Sequence, residues 1–356
     1  MASPGRVILF VDAARKHRPR EHHPENPTRV SKVKWALERE GIGYLEVGGE
    51  DLAGHREEAL RLAERIHAAE YVERLEALSR GGYARLDEDT FIAPDSFELA
   101  LGSLWLSYAA AGDLGSGEWA FLIIRPPGHH AGRRGRALGA PTQGFCLLNN
   151  AVAALLGFLD RGMARVALLD FDVHHGNGTM EILYEEPILV VDVHEDPAYL
   201  YPHTGYPHEV GRGRGAWHKV NLPLAVGSGD ESFVYAIERA TQLVKAYGAE
   251  ALVVSAGFDA YANDGLADLE VDAEGYWAVG TKLRDLGLPT AIVLEGGYSL
   301  GLTEGLPSFV SGLAGLGERR AKLPRDPRFG RNKEVVDSVI SATAKGLGLT
   351  GIDLGA

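Results

Sequence analysis

The residues best placed to do chemistry begin with Asp172 and His174, in the run Asp170-Phe-Asp172-Val-His174-His175-Gly-Asn177. Residues i and i+2 on an extended segment point the same way, so one carboxylate oxygen and one imidazole nitrogen can converge on a metal ion. Asp264, from a neighbouring loop, can supply a third ligand. Three protein ligands leave a position for water, which a catalytic metal site needs. Two Asp and one His suit one Zn²⁺ per chain, and Fe²⁺ or Co²⁺ would also fit. The plain alternative is that Asp172 and His174 only cap a helix starting near Asn177.

A second element is the doublet His129-His130, in Arg125-Pro-Pro-Gly-His-His-Ala131. Two adjacent imidazoles give one proton-transfer group and one electrostatic partner if other side chains orient them. Asp170 and Asn177 are plausible orienters. A carboxylate keeps its histidine cationic, whereas a neutral amide leaves its partner available as a base. A doublet alone says little, because His22-His23 is another one in a charged loop. Tyr298 follows Gly296-Gly297, where the backbone can turn sharply and approach closely. Its phenol could donate to an oxyanion, although a lone Gly-Gly-Tyr is more often a turn.

These groups need elements to bring them together. Apolar runs at 6–11, 119–124, 166–171, 188–193, 251–255 and 290–294 read as strands. Helical spacing covers 56–78, with one break, and helices are expected at 151–160, 177–184, 230–247 and 271–286. Asn149 or Asn150 caps the second of these, and Asp230 caps the fourth. Strands that are nearly continuous apolar runs, alternating with helices, predict a parallel sheet covered on both faces, in one α/β domain over 1–356. Ligands of such folds bind beyond the carboxyl ends of the strands, which is where the His, Asp and Tyr residues stand.

Composition narrows the function. The 356 residues carry 36 Lys+Arg against 49 Asp+Glu, a formal charge of −13, which argues against nucleic-acid binding. A single cysteine, Cys146, excludes a disulfide framework and a multi-cysteine zinc site. No apolar run spans a membrane and the first residues lack a signal-peptide pattern, so the expected place is the cytoplasm. A homo-oligomer is compatible with the sequence but not readable from it.

The blocks 125–131, 170–179 and Glu295-Gly-Gly-Tyr298 together resemble the histone deacetylase superfamily, which includes acetylpolyamine amidohydrolases and acetoin-utilisation proteins. Asn177 in place of Asp is similar to the class II and acetylpolyamine branches. The resemblance implies an arginase–deacetylase fold, with Asp172, His174 and Asp264 on the metal. It makes His129 and His130 the catalytic dyad and Tyr298 the transition-state phenol. By the same resemblance Gly144, Phe145, His175 and Gly296 line the substrate, and Cys146 packs. Asp170 would orient His129 and help bind a structural K⁺, with Asp192 standing where many relatives have Ser. The 131–143 segment is longer than usual and reads as a solvated surface loop rather than a basic flap.

The expected reaction is metal-assisted removal of an acetyl or other acyl group from an amine, with a small acetylated amine such as an acetylpolyamine favoured. An acetyl-lysine protein substrate is the alternative. Less favoured are a binuclear Mn ureohydrolase, which needs ligands for a second metal, and an inactive binding module on the same scaffold.

Overall fold

A computed structural model describes residues 5–317 and 323–350. Ten strands occur among them: β1 Gly5–Phe10, β2 Tyr44–Val47, β3 Ala84–Arg85, β4 Phe91–Ile92, β5 Trp119–Ile123, β6 Val166–Asp170, β7 Val190–Glu195, β8 Lys219–Leu224, β9 Ala251–Ala256 and β10 Thr290–Leu294. Eight form one parallel sheet in the order β2-β1-β5-β10-β9-β6-β7-β8, and β3 and β4 make a small antiparallel pair. Every residue of β5, β6, β9 and β10 is buried, the outcome expected of apolar runs sandwiched between helices.

Register is what matters for function. Asp170 pairs with Ser255, Ser255 with Val293, and Val293 with Leu122. The carboxyl ends of β6, β9, β10 and β5 therefore finish level and side by side. The four polar blocks beyond them emerge as neighbours along one edge.

The expected break in the 56–78 helix falls at His67 and Ala68, between helices Arg56–Ile66 and Ala69–Arg80. The buried His67 ring joins Gly132 O at 2.8 Å and the Asn149 N–H at 3.0 Å. Asn149 caps helix Asn150–Asp160 by accepting from Val152 N. Asp230 is the first residue of helix Asp230–Tyr247, not its cap, and instead accepts from Asp272 N at 2.8 Å. Strand β8 was not anticipated, because Lys, Asn and Pro interrupt its apolar pattern; its place at the sheet edge is where proline is tolerated.

One buried ion-pair network ties the N-terminal loop to two of the central strands. Arg125, just beyond β5, uses all five of its N–H groups. They reach Glu25 Oε1 (2.5 Å) and Oε2 (2.7 Å), Ala13 O (2.6 Å), Lys16 O (3.3 Å) and His17 O (3.0 Å). On its other side Glu25 Oε1 lies 3.7 Å from Arg29 Nη1. Arg29 in turn donates to Gly297 O at 2.7 Å and to Glu295 O, beyond β10.

Burial opposes the Glu25 charge, but Arg125 outweighs it and sets the carboxyl at about 2. Burial pushes His17 down to about 3 and His67 down to about 4. All three folded values lie below the unfolded ones, so the unfolded chain takes up protons first as the pH falls. Stability should be full above pH 6.5, fall as the histidines are forced to charge, and fall further below 4.5 as Glu25 loses its advantage. Urea unfolding across that range checks this, and an unchanged midpoint down to pH 4.5 would contradict it. At neutral pH, Glu25→Ala should cost about 3–5 kcal/mol, because it strands buried guanidinium charge.

Candidate active site

The four strand ends build one cavity of about 250 Å³ whose lining includes His129, His130, Gly144, Phe145, Asp172, His174, Gly296 and Tyr298. The expected residues thus meet, with two exceptions described below.

Asp172 and His174 lie in a bend just past the end of β6 rather than in an extended run, yet their side chains still converge. One ligand atom from each lies within 4.8 Å of the others and of a carboxylate oxygen of Asp259. The third corner is therefore Asp259, not Asp264. Asp259 stands at the turn three residues past the end of β9, whereas Asp264 lies beyond that turn and faces the Tyr298 loop. Asp264 accepts the backbone N–H groups of Tyr298 (2.6 Å), Ser299 (2.7 Å) and Gly301 (2.9 Å), so it anchors the tyrosine loop.

The Asp172–His174–Asp259 group has the chemistry of a cation site. Asp259 Oδ2 is buried without a hydrogen-bond partner, although His174 Nδ1 lies 3.3 Å away. Burial opposes a charged His174, but Asp172 and Asp259 outweigh it and raise its pKa to about 10. Two carboxylates thus draw a proton to the point where a divalent cation would stand. Gly296 permits this closeness: a Cβ there would lie 2.1 Å from Asp259 Oδ2 and 2.5 Å from Asp172 Oδ2. Its N–H instead donates to Asp172 Oδ2 at 2.7 Å.

The two dyad histidines are distinguished by their partners. His129 Nδ1 faces Asp170 Oδ2 at 3.0 Å. Burial works against its charge, yet Asp172 and Asp170 hold its pKa well above the ordinary value. His130 Nδ1 faces Asn177 Oδ1 at 2.7 Å, while Asn177 Nδ2 donates to Ala137 O at 2.9 Å. The Ala137 carbonyl fixes which way the amide points, so His130 Nδ1 carries the hydrogen and Nε2 keeps its lone pair. Burial, then the charges of His129 and His174, push His130 well below its ordinary pKa. The pair comprises one imidazolium and one neutral base.

Tyr298 packs edge-on against Phe145 at 6.0 Å and lies under the Arg29 guanidinium at 4.8 Å. Burial pushes its phenol up, so it remains a hydrogen-bond donor. Gly144 has a φ of +53°, and a Cβ there would meet His130 Cδ2 at 2.4 Å, so the backbone itself forms the cavity wall.

His175 is the second exception. It points away from the cavity, with its ring nitrogens at Thr204 Oγ1 (2.8 Å) and Met180 Sδ (3.1 Å). The two adjacent rings diverge, so only His174 lines the cavity. Tyr201 takes that wall, its ring 5.0 Å from His130 and its hydroxyl donating to Thr142 O at 3.0 Å. Asp89 also lines the cavity, accepting from Thr90 Oγ1 (2.8 Å) and Thr142 Oγ1 (2.5 Å). Neither residue carries a motif that the sequence could have revealed.

The 131–143 segment is not a solvated loop. Ala131, Gly132, Gly135, Ala137, Ala140, Thr142 and Gln143 are buried, while its three arginines, Gly139 and Pro141 stand in water. Glu181 accepts from Arg133 N (3.0 Å) and Leu138 N (3.1 Å), which straps the segment over the Asn177 helix. Cys146 is buried, and burial pushes its thiol well above the ordinary range, as expected of a packing residue rather than a nucleophile.

A histone deacetylase domain model matches residues 23–313. The chain belongs to the histone deacetylase family. A probable deacetylase of Archaeoglobus fulgidus is 36% identical over 304 residues, covering 82% of this chain and 81% of that protein. Acetylpolyamine amidohydrolase 1 of Pseudomonas aeruginosa is 39% identical over 222 residues, 62% of this chain and 62% of that protein. The crystal structure of the HDA15 HD domain superposes with a TM-score of 0.81 at 28% identity, over 96% of this chain and 95% of that one. These likenesses place the chain among deacetylases with the shared arginase–deacetylase fold. No helix among the described residues is long and apolar enough to cross a membrane.

The two aspartates give the site in this deacetylase-family chain a direct test. Asp259→Asn should abolish tight binding of a divalent cation, read as metal per chain after dialysis. Asp264→Asn should retain the metal while lowering kcat, because it loosens Tyr298. The reverse pattern would restore Asp264 as the ligand.

Proposed function

We propose that this protein is a Zn²⁺-dependent deacetylase that removes an acetyl group from a small acetylated amine such as an acetylpolyamine. The observation that carries the reading is the meeting, in one cavity, of the Asp172–His174–Asp259 group with a neutral imidazole, an imidazolium and a phenol. A divalent cation held by those three residues would supply Lewis-acid polarisation of the acyl carbonyl and acidify a water. His130 Nε2 accepts the proton of the attacking water, since its lone pair is free and its Nδ1–H is held by Asn177. His129, kept cationic by Asp170, stabilises the negative charge developing beside it and can return a proton to the leaving amine. Tyr298 donates its hydroxyl to the oxyanion. Phe145 and Tyr201 wall the narrow approach and exclude bulk water from the acyl group.

The choice of a small amine rests on the likeness to acetylpolyamine amidohydrolase 1 and on the Asp89 carboxylate at the cavity, which favours a cationic substrate. The reading also includes a structural K⁺ beside Asp170 and Asp192. Those residues are buried opposite one another in the β6–β7 register, and burial followed by repulsion from Asp192 raises the Asp170 pKa. Among other placements, the cytoplasm is the compartment proposed.

The test is steady-state hydrolysis of an N-acetylpolyamine and an acetyl-lysine peptide, side by side, by the Zn²⁺-loaded protein. The expected result is a kcat/KM at least about tenfold higher for the polyamine, or about 1.4 kcal/mol of transition-state preference. A preference for the peptide would make the protein a lysine deacetylase, and hydrolysis of neither would overturn the reading. Tyr298→Phe should lower kcat on the better substrate by roughly a hundredfold or more.

A further inference from the structure

Behind the His dyad, and sharing His129 with it, lies a second cluster whose other two members the proposed reaction leaves unused. His129, Cys146 and Glu295 are all buried, and one ligand atom from each lies within 4.8 Å of the other two. They arrive from three places: the segment beyond β5, the chain after the 131–143 strap, and the end of β10. Glu295 Oε2 accepts from Gly128 N (2.7 Å) and His129 N (3.2 Å). Its Oε1 has only the Ser255 hydroxyl, at 3.5 Å, and so keeps a lone pair to offer. Cys146 Sγ accepts a single weak bond, from His130 N at 3.4 Å.

We propose that His129, Cys146 and Glu295 form a second metal site, selective for a thiophilic divalent cation, and that filling it switches the enzyme off. The donor set decides the selectivity. Asp172, His174 and Asp259 offer two hard oxygens and a nitrogen, whereas this cluster offers a sulfur, a nitrogen and one oxygen. Thiolate ligation favours softer cations such as Cd²⁺, or Zn²⁺ in excess over the first site. The charges also close. Coordination forms a metal–sulfur and a metal–nitrogen bond and releases two protons to solvent, that of the thiol and the one His129 carries as an imidazolium, leaving a neutral imidazole, one thiolate and one carboxylate against the two charges of the ion.

His129 also provides the way in, because it lines the active-site cavity while the other two ligands lie behind it. Occupancy withdraws His129 from the reacting groups, while Glu295 Oε2 keeps the backbone N–H groups of Gly128 and His129. The loss of activity rests on the reaction proposed above; the binding itself does not.

The chain has a single cysteine, so thiolate-to-metal charge-transfer absorption reports on Cys146 alone. Cd²⁺ is titrated into the Zn²⁺-loaded protein while absorption, bound Cd²⁺ and hydrolysis are followed. Absorption should grow to a plateau at one Cd²⁺ per chain, and hydrolysis should fall roughly a hundredfold, the loss expected when an acid–base group is removed. Cys146→Ser and Cys146→Ala should lose both the absorption and the inhibition, each read against its own uninhibited rate and melting temperature. Absence of the absorption in the unaltered protein overturns the site, even if no substrate is ever found. Inhibition without the absorption, or equal inhibition in the cysteine variants, assigns the effect to the Asp172–His174–Asp259 group and overturns it too. Absorption without inhibition overturns the switch.

Discussion

The active edge depends on one carboxylate taken wholly out of water. Glu25 sits between Arg125, which stands just beyond β5 and reaches the carbonyls of Ala13, Lys16 and His17, and Arg29, which reaches the backbone beyond β10. Arg125 opens the segment that carries the His dyad. Arg29 grips the carbonyls of Glu295 and Gly297 and lies over the ring of Tyr298. A buried ion pair is poor value as a source of stability, since desolvation cancels most of its attraction. Its use here is positional. Five fixed donors on Arg125 accept only one arrangement of the N-terminal loop around them, and that arrangement holds the loop against strand ends that the sheet already pairs.

Electrostatics then divides labour among chemically equal groups. His129 and His130 are adjacent in the chain and their rings are 4.0 Å apart. A carboxylate behind one and an amide behind the other give them opposite proton affinities. The like charge of the first further suppresses protonation of the second. Placing a cation beside a base is a simple way to keep the base neutral in a cavity crowded with carboxylates.

Much of this was legible before any coordinates. The apolar runs fixed the central strands, and polar residues at their ends marked the edge where the site lies, because buried parallel strands leave only their carboxyl ends for chemistry. The i, i+2 spacing of Asp172 and His174 translated directly into a shared side. The expectations that failed depend on a loop's path. Asp259 and Asp264 stand in one segment, and only the turn after Asp259 decides which carboxylate stays near β9. His175 follows His174 directly, yet the bend after β6 turns its ring to Thr204 and Met180 instead. Tyr201 and Asp89 come from loops whose return to the cavity no periodicity signals. The 131–143 segment looked solvated because its arginines are conspicuous, whereas its alanines and glycines do the packing.

The contacts that complete the edge span long stretches of chain: 100 residues between Glu25 and Arg125, 124 between Asp172 and Gly296, and 268 between Arg29 and Gly297. Contacts this remote form late and slowly, since each closes a large loop before it gains anything. During synthesis the first dyad histidine emerges long before Glu295 or Tyr298 exists to meet it. A ribosome-bound chain therefore carries the His dyad before the cavity it lines can close, and that cavity is completed only once the last central strand slots between β5 and β9.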